Sequence, residues 1–176
     1  MKKLTTEEMH RLTVEEFRES EKLPLTVVLD NVRSLNNIGS VFRTSDAFRV
    51  EHIALCGISA TPPHREIHKT ALGAEDTVAW SYHEETVECV QGLKEQGYSV
   101  YAVELAHDSL KLDKDCVETD KPIALVFGNE IDGVQETVME LCDGFLEIPQ
   151  YGSKHSLNVS CAAAIAIWEI SKLFRQ

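Results

Sequence analysis

The sequence predicts an α/β fold in which a parallel sheet carries helices on both faces. First, short apolar segments alternate along the chain with longer segments whose apolar residues have helical spacing. Second, several short segments, such as LTVVL at 25–29 and PIALVF at 122–127, lack the alternation of a half-exposed strand and are typical of strands buried on both faces. Third, glycines and polar residues follow these segments, at the edge where such sheets bind ligands.

The chain opens with a predicted accessory helix at residues 5–22. Thr5 and Glu8 have the spacing of a capping box, and Leu23-Pro24 ends the helix. Its apolar stripe is thin and its other faces are charged, so it is too small to fold alone. We therefore predict an N-terminal accessory helix, residues 1–22, followed by one domain, residues 23–176.

The domain is predicted to contain six strands and four main helices. The predicted strands are residues 25–29, 52–56, 77–82, 98–105, 122–127 and 145–148. The predicted helices are residues 38–48, 84–96, 134–142 and 157–174, with one further helical turn at 64–69 inside the loop 57–73. Asn36 or Asn37 is the predicted cap of the first of these helices. Residues 106–119 are predicted as a polar connection.

Composition indicates one globular domain. The chain has 176 residues, 43% of them hydrophobic and 26% charged. No apolar run is long enough to cross a bilayer, and the amino terminus lacks the apolar segment of a secretory signal, so a cytoplasmic location is predicted. Five cysteines are scattered without a C-x-x-C pair, which favours buried, reduced thiols.

The charge argues against a general nucleic-acid coat protein. The formal net charge is −12 at pH 7, and most of the acidic excess lies between residues 51 and 150. The first 50 residues are balanced and contain five arginines. A locally basic face on an acidic body therefore stays open, beside the simpler interpretation of the acidic residues as a solvated surface.

The stretch 125–170 organises the chain. One apolar run ends at Gly128 and is followed by Glu130, and a second ends at Ile148. A polar loop then leads through residues 156–158 into a helix rich in alanine. The two strand ends are predicted to form the walls of one cleft. The small residues of the helix let a ligand or another backbone approach closely, although a tight core or a subunit interface explains them equally well.

Several common sites are absent or weak. Neither of the two common glycine-rich nucleotide motifs occurs. His64 and His68 have the spacing of two metal ligands but lack the sequence order of a zinc protease, so two surface histidines are favoured. Taken singly, Asn37 is explained as a helix cap, Arg43 as a surface charge and Glu130 as a partner of a helix amino terminus.

Together, three segments identify a resemblance. NNIGSVFRTSDAF at 36–48, LVFGNEIDGV at 125–134 and IPQYGSKHSLNVSCAAAIAI at 148–167 resemble the three motifs of the SpoU/TrmH branch of the SPOUT RNA methyltransferases. They occur in the order and spacing of that family, over roughly residue 25 to the carboxyl terminus. The loop TPPHREIHKTALGAED at 61–76 is similar to the corresponding family segment.

The resemblance implies methyl transfer from S-adenosylmethionine to a ribose 2′-hydroxyl in tRNA or rRNA. It also implies a deep trefoil knot at the carboxyl terminus, a homodimer and no metal. Matching motif by motif, it implies a catalytic set and a cofactor-binding set. The catalytic set is Arg43, Asn37, Glu130, Ser156 and Asn158. The cofactor-binding set is Gly128, Ile148, Leu157 and Leu105.

Three features depart from the family pattern. Arg49 and Ile131 stand where the family often has glycine, which puts the local loop geometry in question. The large N-terminal RNA-binding domain of some relatives is replaced by the predicted accessory helix. Its arginines, Arg11 and Arg18, are therefore candidates for RNA contact, together with Arg49.

The sequence therefore predicts a ribose 2′-O-methyltransferase acting on tRNA, since the loop at 61–76 is similar to that of tRNA-modifying members. The alternatives are methylation of rRNA, a catalytically silent module for RNA binding or dimerisation, and a related enzyme that methylates a base. The serine and asparagine of the third motif, Ser156 and Asn158, argue against base methylation.

Overall fold

The fold is a seven-stranded parallel sheet with helices on both faces, seen in a computed structural model. The structure describes residues 3–4, 8, 11–112, 117–154 and 156–175. The strands are β1 Leu23–Asp30, β2 Val50–Cys56, β3 Ala79–His83, β4 Ser99–Val103, β5 Leu110–Lys111, β6 Ile123–Phe127 and β7 Gly144–Glu147. The helices are α1 Val14–Glu19, α2 Leu35–Ala47, α3 Arg65–Ala71, α4 Ala74–Thr77, α5 Thr86–Glu95, α6 Glu136–Met139 and α7 Val159–Phe174.

The strand order places β6, the sixth strand along the chain, in the middle of the sheet. The order is β3-β2-β1-β6-β4-β7-β5, and every pair of neighbours is parallel. The first three strands extend the sheet outwards in one direction, and β6 is inserted later between β1 and β4. The carboxyl ends of all strands therefore meet at one edge of the sheet.

Alternate residues of the central strands form two hydrophobic layers. Leu25, Val27 and Leu29 of β1 belong to the larger layer, together with buried residues of α1, α2, α3, α4 and α7. Val28 faces the other layer, which contains buried residues of α5 and α6. The absence of polar alternation in the predicted strands is explained by this double coverage.

The N-terminal helix is shorter than predicted. The helix α1 begins after Thr13, whose side chain accepts a hydrogen bond from the backbone of Glu16, while the Glu16 carboxylate accepts one from the backbone of Thr13. The predicted capping box involves Thr5, which lies outside the described residues. Phe17 is buried in the larger hydrophobic layer. The division at residue 22 stays a prediction.

The helix α2 begins earlier than predicted because Ser34 is its cap. The Ser34 hydroxyl accepts a hydrogen bond from the backbone N–H of Asn37 at 3.3 Å. The prediction that Asn36 or Asn37 caps this helix was therefore wrong. The consequence is functional, because the Asn37 side chain is free to make contacts outside the helix.

Two short elements and one thiol differ from prediction. The predicted polar connection contains β5, and the loop after β2 contains α4 as well as α3. These elements have two and four residues, too few to produce a periodic pattern. Cys56 and Cys89 are buried as predicted, but Cys161 is exposed.

Candidate active site

A cavity of about 490 Å³ lies at the carboxyl edge of the sheet. It is formed by the segments that follow β4, β6 and β7 and by the start of α7. Its described lining is Val103, Glu104, Leu105, Phe127, Gly128, Asn129, Glu130, Ile131, Asp132, Gly133, Leu146, Ile148, Gln150, Ser156, Leu157, Asn158, Val159 and Ala162. The structure thus brings the two predicted strand ends to one cleft, with β4 as a third wall.

The four predicted cofactor-binding residues all lie in this lining. Leu105 and Leu157 are partly open to solvent, at 53% and 39% exposure. Gly128 is required sterically, because a Cβ atom there would lie 1.9 Å from the carbonyl carbon of Gly133. Ile148 packs against the larger hydrophobic layer from the wall that follows β7.

The loop after β6 is closed by its own hydrogen bonds. Asn129 and Gly133 exchange two backbone hydrogen bonds, of 3.1 and 3.2 Å. The Asn129 side-chain oxygen accepts the backbone N–H groups of Ile131 and Asp132 at 2.8 and 2.9 Å. Gly133 has a positive φ of 71°, whereas Ile131 does not have a positive φ. Ile131 is therefore tolerated at the tip of the loop, where its side chain is exposed.

Asn37, Glu130 and Asn158 form a hydrogen-bonded chain at the mouth of the cavity. The Asn37 amide donates to Glu130 Oε1 at 2.9 Å, and the Asn158 amide donates to Asn37 Oδ1 at 3.1 Å. Asn158 also caps α7 by accepting from the backbone N–H of Ser160. Three predicted catalytic residues from three separate motifs are therefore joined. Ser156 lines the same cavity but makes no hydrogen bond with the described residues.

Hydrogen bonding keeps Glu130 ionised. Partial burial alone raises the pKa of its carboxyl group, but hydrogen bonds from Asn37 and from the backbone N–H groups of Glu130, Arg33 and Ser34 outweigh burial. The pKa of Glu130 therefore lies below its usual range. An ionised Glu130 accepts from Asn37 and so fixes which way the Asn37 amide points.

Arg43 lies apart from this chain. It is exposed on α2, and its side chain makes no hydrogen bond or ion pair with the described residues. It follows Asn37 by six residues, about 9 Å along the helix axis and on a different face. It is not part of the cavity lining. The structure therefore does not bring the predicted catalytic arginine to the other predicted catalytic residues of the same chain.

Two of the three predicted RNA-binding arginines, Arg18 and Arg49, belong to the opposite edge of the sheet. Arg49 immediately precedes β2, about 20 Å along the strand from the carboxyl edge. Its φ is 52°, in the left-handed region, so the backbone keeps a conformation that favours glycine. Arg18 of α1 donates to the carbonyl oxygen of Asp76, just before β3, at 2.8 Å. Arg11 is exposed and precedes α1.

Sequence reasoning missed three carboxylates around the cavity and beneath it. Glu104 and Asp132 line it beside Glu130, and the described lining contains no lysine, arginine or histidine. Glu104 stood at the end of a predicted strand, which was a usable signal. Asp30 lies beneath the cavity, and its buried environment comes from residues distant in sequence.

The described residues contain no group of three potential metal ligands. His64 Nδ1 accepts the backbone N–H of Glu66, and His68 Nδ1 contacts Glu75 Oε1 at 2.5 Å. Each histidine is therefore engaged locally. Among the described residues, no helix is long and apolar enough to cross a membrane.

A sequence profile of the SpoU rRNA Methylase family matches residues 24–168. The chain belongs to this family. One relative is the tRNA (guanosine(18)-2′-O)-methyltransferase of Thermus thermophilus, 35% identical over 165 residues, which cover 94% of this chain and 83% of the relative.

Solved structures of SpoU relatives share the fold. The A. aeolicus TrmH/SpoU tRNA modifying enzyme superposes with a TM-score of 0.81 at 28% identity, over 92% of this chain and 81% of that one. The AdoMet-bound rRNA methyltransferase from Sinorhizobium meliloti gives 0.79 at 26% identity, over 89% of this chain and 60% of that one. The predicted family and the parallel α/β fold are confirmed, and the trefoil knot stays a prediction.

Proposed function

We propose that this protein transfers a methyl group from S-adenosylmethionine to a ribose 2′-hydroxyl of tRNA. The observation that carries the proposal is the hydrogen-bonded chain of Asn37, Glu130 and Asn158 at the mouth of the cavity. It joins three sequence motifs in a member of the SpoU family, one of whose relatives is named a tRNA ribose methyltransferase.

The cavity suits S-adenosylmethionine in size and in chemistry. Its volume of about 490 Å³ lies in the range of small-molecule sites. Aliphatic side chains such as Leu105, Ile148 and Leu157 suit the adenine ring, and Gly128 leaves its backbone open to close approach. Three carboxylates without a described cation in the lining favour a ligand that carries positive charge, as the sulfonium and ammonium groups of this cofactor do.

The reaction needs alignment and the removal of one proton. When bound, the cofactor supplies an activated methyl group, which passes to the ribose oxygen as the carbon–sulfur bond breaks and leaves a neutral thioether. The 2′-hydroxyl proton leaves to a base or to water. Asn37, held by Glu130 and Asn158, is placed to orient the substrate at the mouth of the cavity.

Arg43 is assigned to the RNA backbone. Arginine stays protonated at neutral pH and is therefore a poor general base. Its guanidinium binds a phosphate through two parallel hydrogen bonds, which would orient the neighbouring ribose. The absence of a hydrogen-bond partner among the described residues leaves its donors available for this role.

We further propose a homodimer built on one face of α7. Cys161, Ile165 and Trp168 share one face of this helix, and we call them the α7 stripe. Ile165 and Trp168 are 38% and 51% exposed, and the Trp168 ring contacts Phe48 at the end of α2 with a centroid distance of 5.6 Å. A second copy seated on the stripe would also cover the neighbouring part of α2 and bring Arg43 into the interface.

The dimer is tested by placing a charge on the stripe. Trp168→Glu is expected to give a monomer in light scattering, to keep S-adenosylmethionine affinity within about twofold and to lose methyl transfer. Ile58→Glu is the matched control, because Ile58 is an apolar residue outside the stripe and is exposed to a similar degree, 59% against 51% for Trp168. If Trp168→Glu is still a dimer in light scattering, the proposed interface is wrong.

The accessory segment 1–22 and Arg49 are proposed as a second RNA contact. Arg18 and Arg49 lie towards the amino edge of the sheet and Arg11 precedes α1, so these three cations are the proposed contacts on an otherwise acidic protein. RNA binding that depends on so few cations is expected to weaken with salt. We also propose a cytoplasmic location, where a tRNA substrate would be met.

An rRNA substrate is the second candidate, favoured by the likeness to the Sinorhizobium rRNA methyltransferase. The decisive experiment is methyl transfer to unmodified total RNA, fractionated into tRNA and rRNA and followed by nucleoside mass spectrometry. A 2′-O-methylated nucleoside in the tRNA fraction is expected with the wild type and not with Arg43→Ala. The same product in rRNA alone would reassign the substrate, and a methylated base would overturn the reaction.

Calorimetry separates the enzyme from a silent RNA-binding module. A working enzyme binds S-adenosylmethionine, whereas a module that kept only the fold does not. The titration needs no RNA, so it tests the cavity independently of the substrate.

A further inference from the structure

Asp30 is a buried carboxylate beneath the cavity. It ends β1, its exposure is 0%, and it is the one charged side chain among the fully buried residues of the described chain. Moving a carboxylate out of water is strongly unfavourable unless hydrogen bonds or a counter-ion replace the lost solvation. No described cation lies within ion-pair distance of Asp30.

Hydrogen bonds from three directions replace the water. Gln135 donates twice, from its backbone N–H to Oδ2 at 2.9 Å and from its side-chain amide to Oδ1 at 2.7 Å. Thr86 donates its hydroxyl to Oδ1 at 2.6 Å, and Asn31 donates its amide to the same oxygen at 2.9 Å. Such bonds to an ionised group are about twice as strong as neutral ones.

Two of these partners lead to different parts of the molecule. Gln135 directly follows residues 128–134, the loop that lines the cavity and carries Glu130. Thr86 is the first residue of α5, which packs on the other layer and contributes nothing to the cavity lining. The same carboxylate therefore fixes the far end of the cavity loop through one partner and the start of a remote helix through the other.

The near end of the loop is fixed by the sheet. Phe127 pairs with Leu29 of β1, the residue next to Asp30. Within the loop, the mutual bonds of Asn129 and Gly133 set its internal shape but not its position relative to the sheet. Besides the weak contact from Val134 to Glu104 at 3.4 Å, the Gln135 contacts to Asp30 are the hydrogen bonds that hold the far end.

We propose that Asp30 is a positioning residue for cofactor binding. Its carboxylate clamps Gln135, so that Gly128, Glu130 and Gly133 stay in the positions that form one wall of the cavity. The inference rests on the proposed binding of S-adenosylmethionine in that cavity. Asp30 itself does not line the cavity and is not a catalytic residue.

Asp30→Asn and Gln135→Ala release the clamp to different extents. Asp30→Asn removes the charge and places the new side-chain NH2 group opposite an N–H or O–H that now donates to the carboxylate. Affinity for S-adenosylmethionine, measured by calorimetry, is therefore expected to fall about tenfold. Gln135→Ala keeps the backbone contact and is expected to cost about threefold. In steady state, Asp30→Asn should raise the KM for the cofactor and keep kcat at saturating cofactor within about threefold of wild type.

Thr86→Val is the matched control. It removes a hydrogen bond to the same carboxylate at nearly constant volume, so it should lower the melting temperature while cofactor affinity stays within about twofold of wild type. Equal losses of affinity in Thr86→Val and Gln135→Ala would show a merely structural role and overturn the proposal. If Asp30→Asn does not fold, comparing the cofactor affinities of Thr86→Val and Gln135→Ala still tests the proposal.

Hydrogen–deuterium exchange separates this inference from the proposed function. Without any ligand, exchange in peptides covering 128–135 should accelerate in Asp30→Asn and Gln135→Ala but not in Thr86→Val. A wild-type protein that binds no S-adenosylmethionine would overturn the proposed function. Unchanged exchange in the two clamp variants, with normal cofactor binding by the wild type, would overturn the role of Asp30 alone.

Discussion

The cavity and the exposed surface around Arg43, here called the arginine side, differ in how their side chains are held. Around the cavity, the loop 128–134 is closed by four internal hydrogen bonds, and Gln135 is anchored to a buried carboxylate. On the arginine side, Arg43 is exposed and has no hydrogen-bond partner among the described residues. The cavity wall makes its hydrogen bonds within a single chain, whereas the Arg43 guanidinium has N–H donors without a partner among the described residues.

This difference predicts that the cofactor and the RNA bind in different ways. A cavity whose wall is already fixed loses little conformational freedom on binding, so it should take up the small cofactor without RNA. An arginine without a partner is ordered only when a phosphate or a second subunit reaches it. Cofactor affinity and RNA turnover should therefore respond to different sets of mutations.

The largest effect is expected on the arginine side. Arg43→Ala should lower methyl transfer by about a hundredfold or more while S-adenosylmethionine affinity stays within about twofold. Arg43→Lys should be nearly as damaging, because lysine lacks the planar pair of donors. Arg65→Ala, an exposed arginine of α3, is the control. Near-normal turnover by Arg43→Lys would remove the proposed two-point phosphate contact.

On the cavity side, Gly128→Ala is expected to lower S-adenosylmethionine affinity by about a hundredfold in calorimetry. The new Cβ would lie 1.9 Å from the backbone of Gly133 and force the two ends of the loop apart. Gly152→Ala is the matched control, since its Cβ meets nothing within 4 Å. Equal affinities of the two variants would mean that the wall is not preformed.

The two variants also test whether the regions meet across the dimer. Arg43 does not line the cavity of its own chain. A mixed dimer of one Arg43→Ala subunit and one Gly128→Ala subunit is therefore expected to recover one working site and about half of the wild-type activity. A mixed dimer as inactive as its parents would place Arg43 and the cofactor site in the same subunit.

A smaller effect concerns Glu130, which joins the two regions through Asn37. Since the pKa of Glu130 is lowered in the folded protein, its stabilising contribution is present above its unfolded value near 4.5 and is lost as the pH falls through the folded value. Between pH 5.5 and 3.5 the melting temperature of wild type should fall by roughly 1–2 °C more than that of Glu130→Gln. Parallel profiles would show that the hydrogen bonds to Glu130 do not depend on its charge.

The smallest effect is expected at Arg49. Its left-handed backbone is strained with a side chain, so Arg49→Gly should raise the free energy of unfolding by about 0.5–1 kcal/mol in urea titrations. Gln91→Gly, at an exposed position of α5, should instead lower it by about 1 kcal/mol. If Arg49 contacts a phosphate, the same variant reduces the salt dependence of RNA binding by about one unit of slope. An unchanged slope takes Arg49 out of the RNA surface.

Local pattern explains how much of the fold could be predicted. Strands buried on both faces and a helix with apolar spacing leave clear signals, so all six predicted strands occur in the structure. The elements β5 and α4 are too short to leave one. The true cap of α2, Ser34, was overlooked because Asn36 and Asn37 are equally good capping residues beside it.

The candidate site likewise contains residues that the sequence predicts and contacts that it does not. Gly128, Leu157 and their neighbours were available from the motifs, because motif residues are close in sequence. The link from Asn37 to Glu130 spans 93 residues, and the clamp from Gln135 to Asp30 spans 105. Nothing local in the sequence marks Asp30 as buried, since its surroundings are assembled only when β6 joins β1.

The position of β6 late in the sequence has a consequence while the chain is being synthesised. The inner edge of β1 is paired only by β6, whose first residue, Ile123, is added 93 residues after Asp30. At about 5–20 residues per second, a ribosome leaves that edge open for roughly 5–20 seconds. During this time, an apolar strand edge is exposed beside a carboxylate, Asp30, that still lacks its two Gln135 donors. The nascent protein is thus most vulnerable to aggregation and chaperone capture before the sheet's central strand has been made.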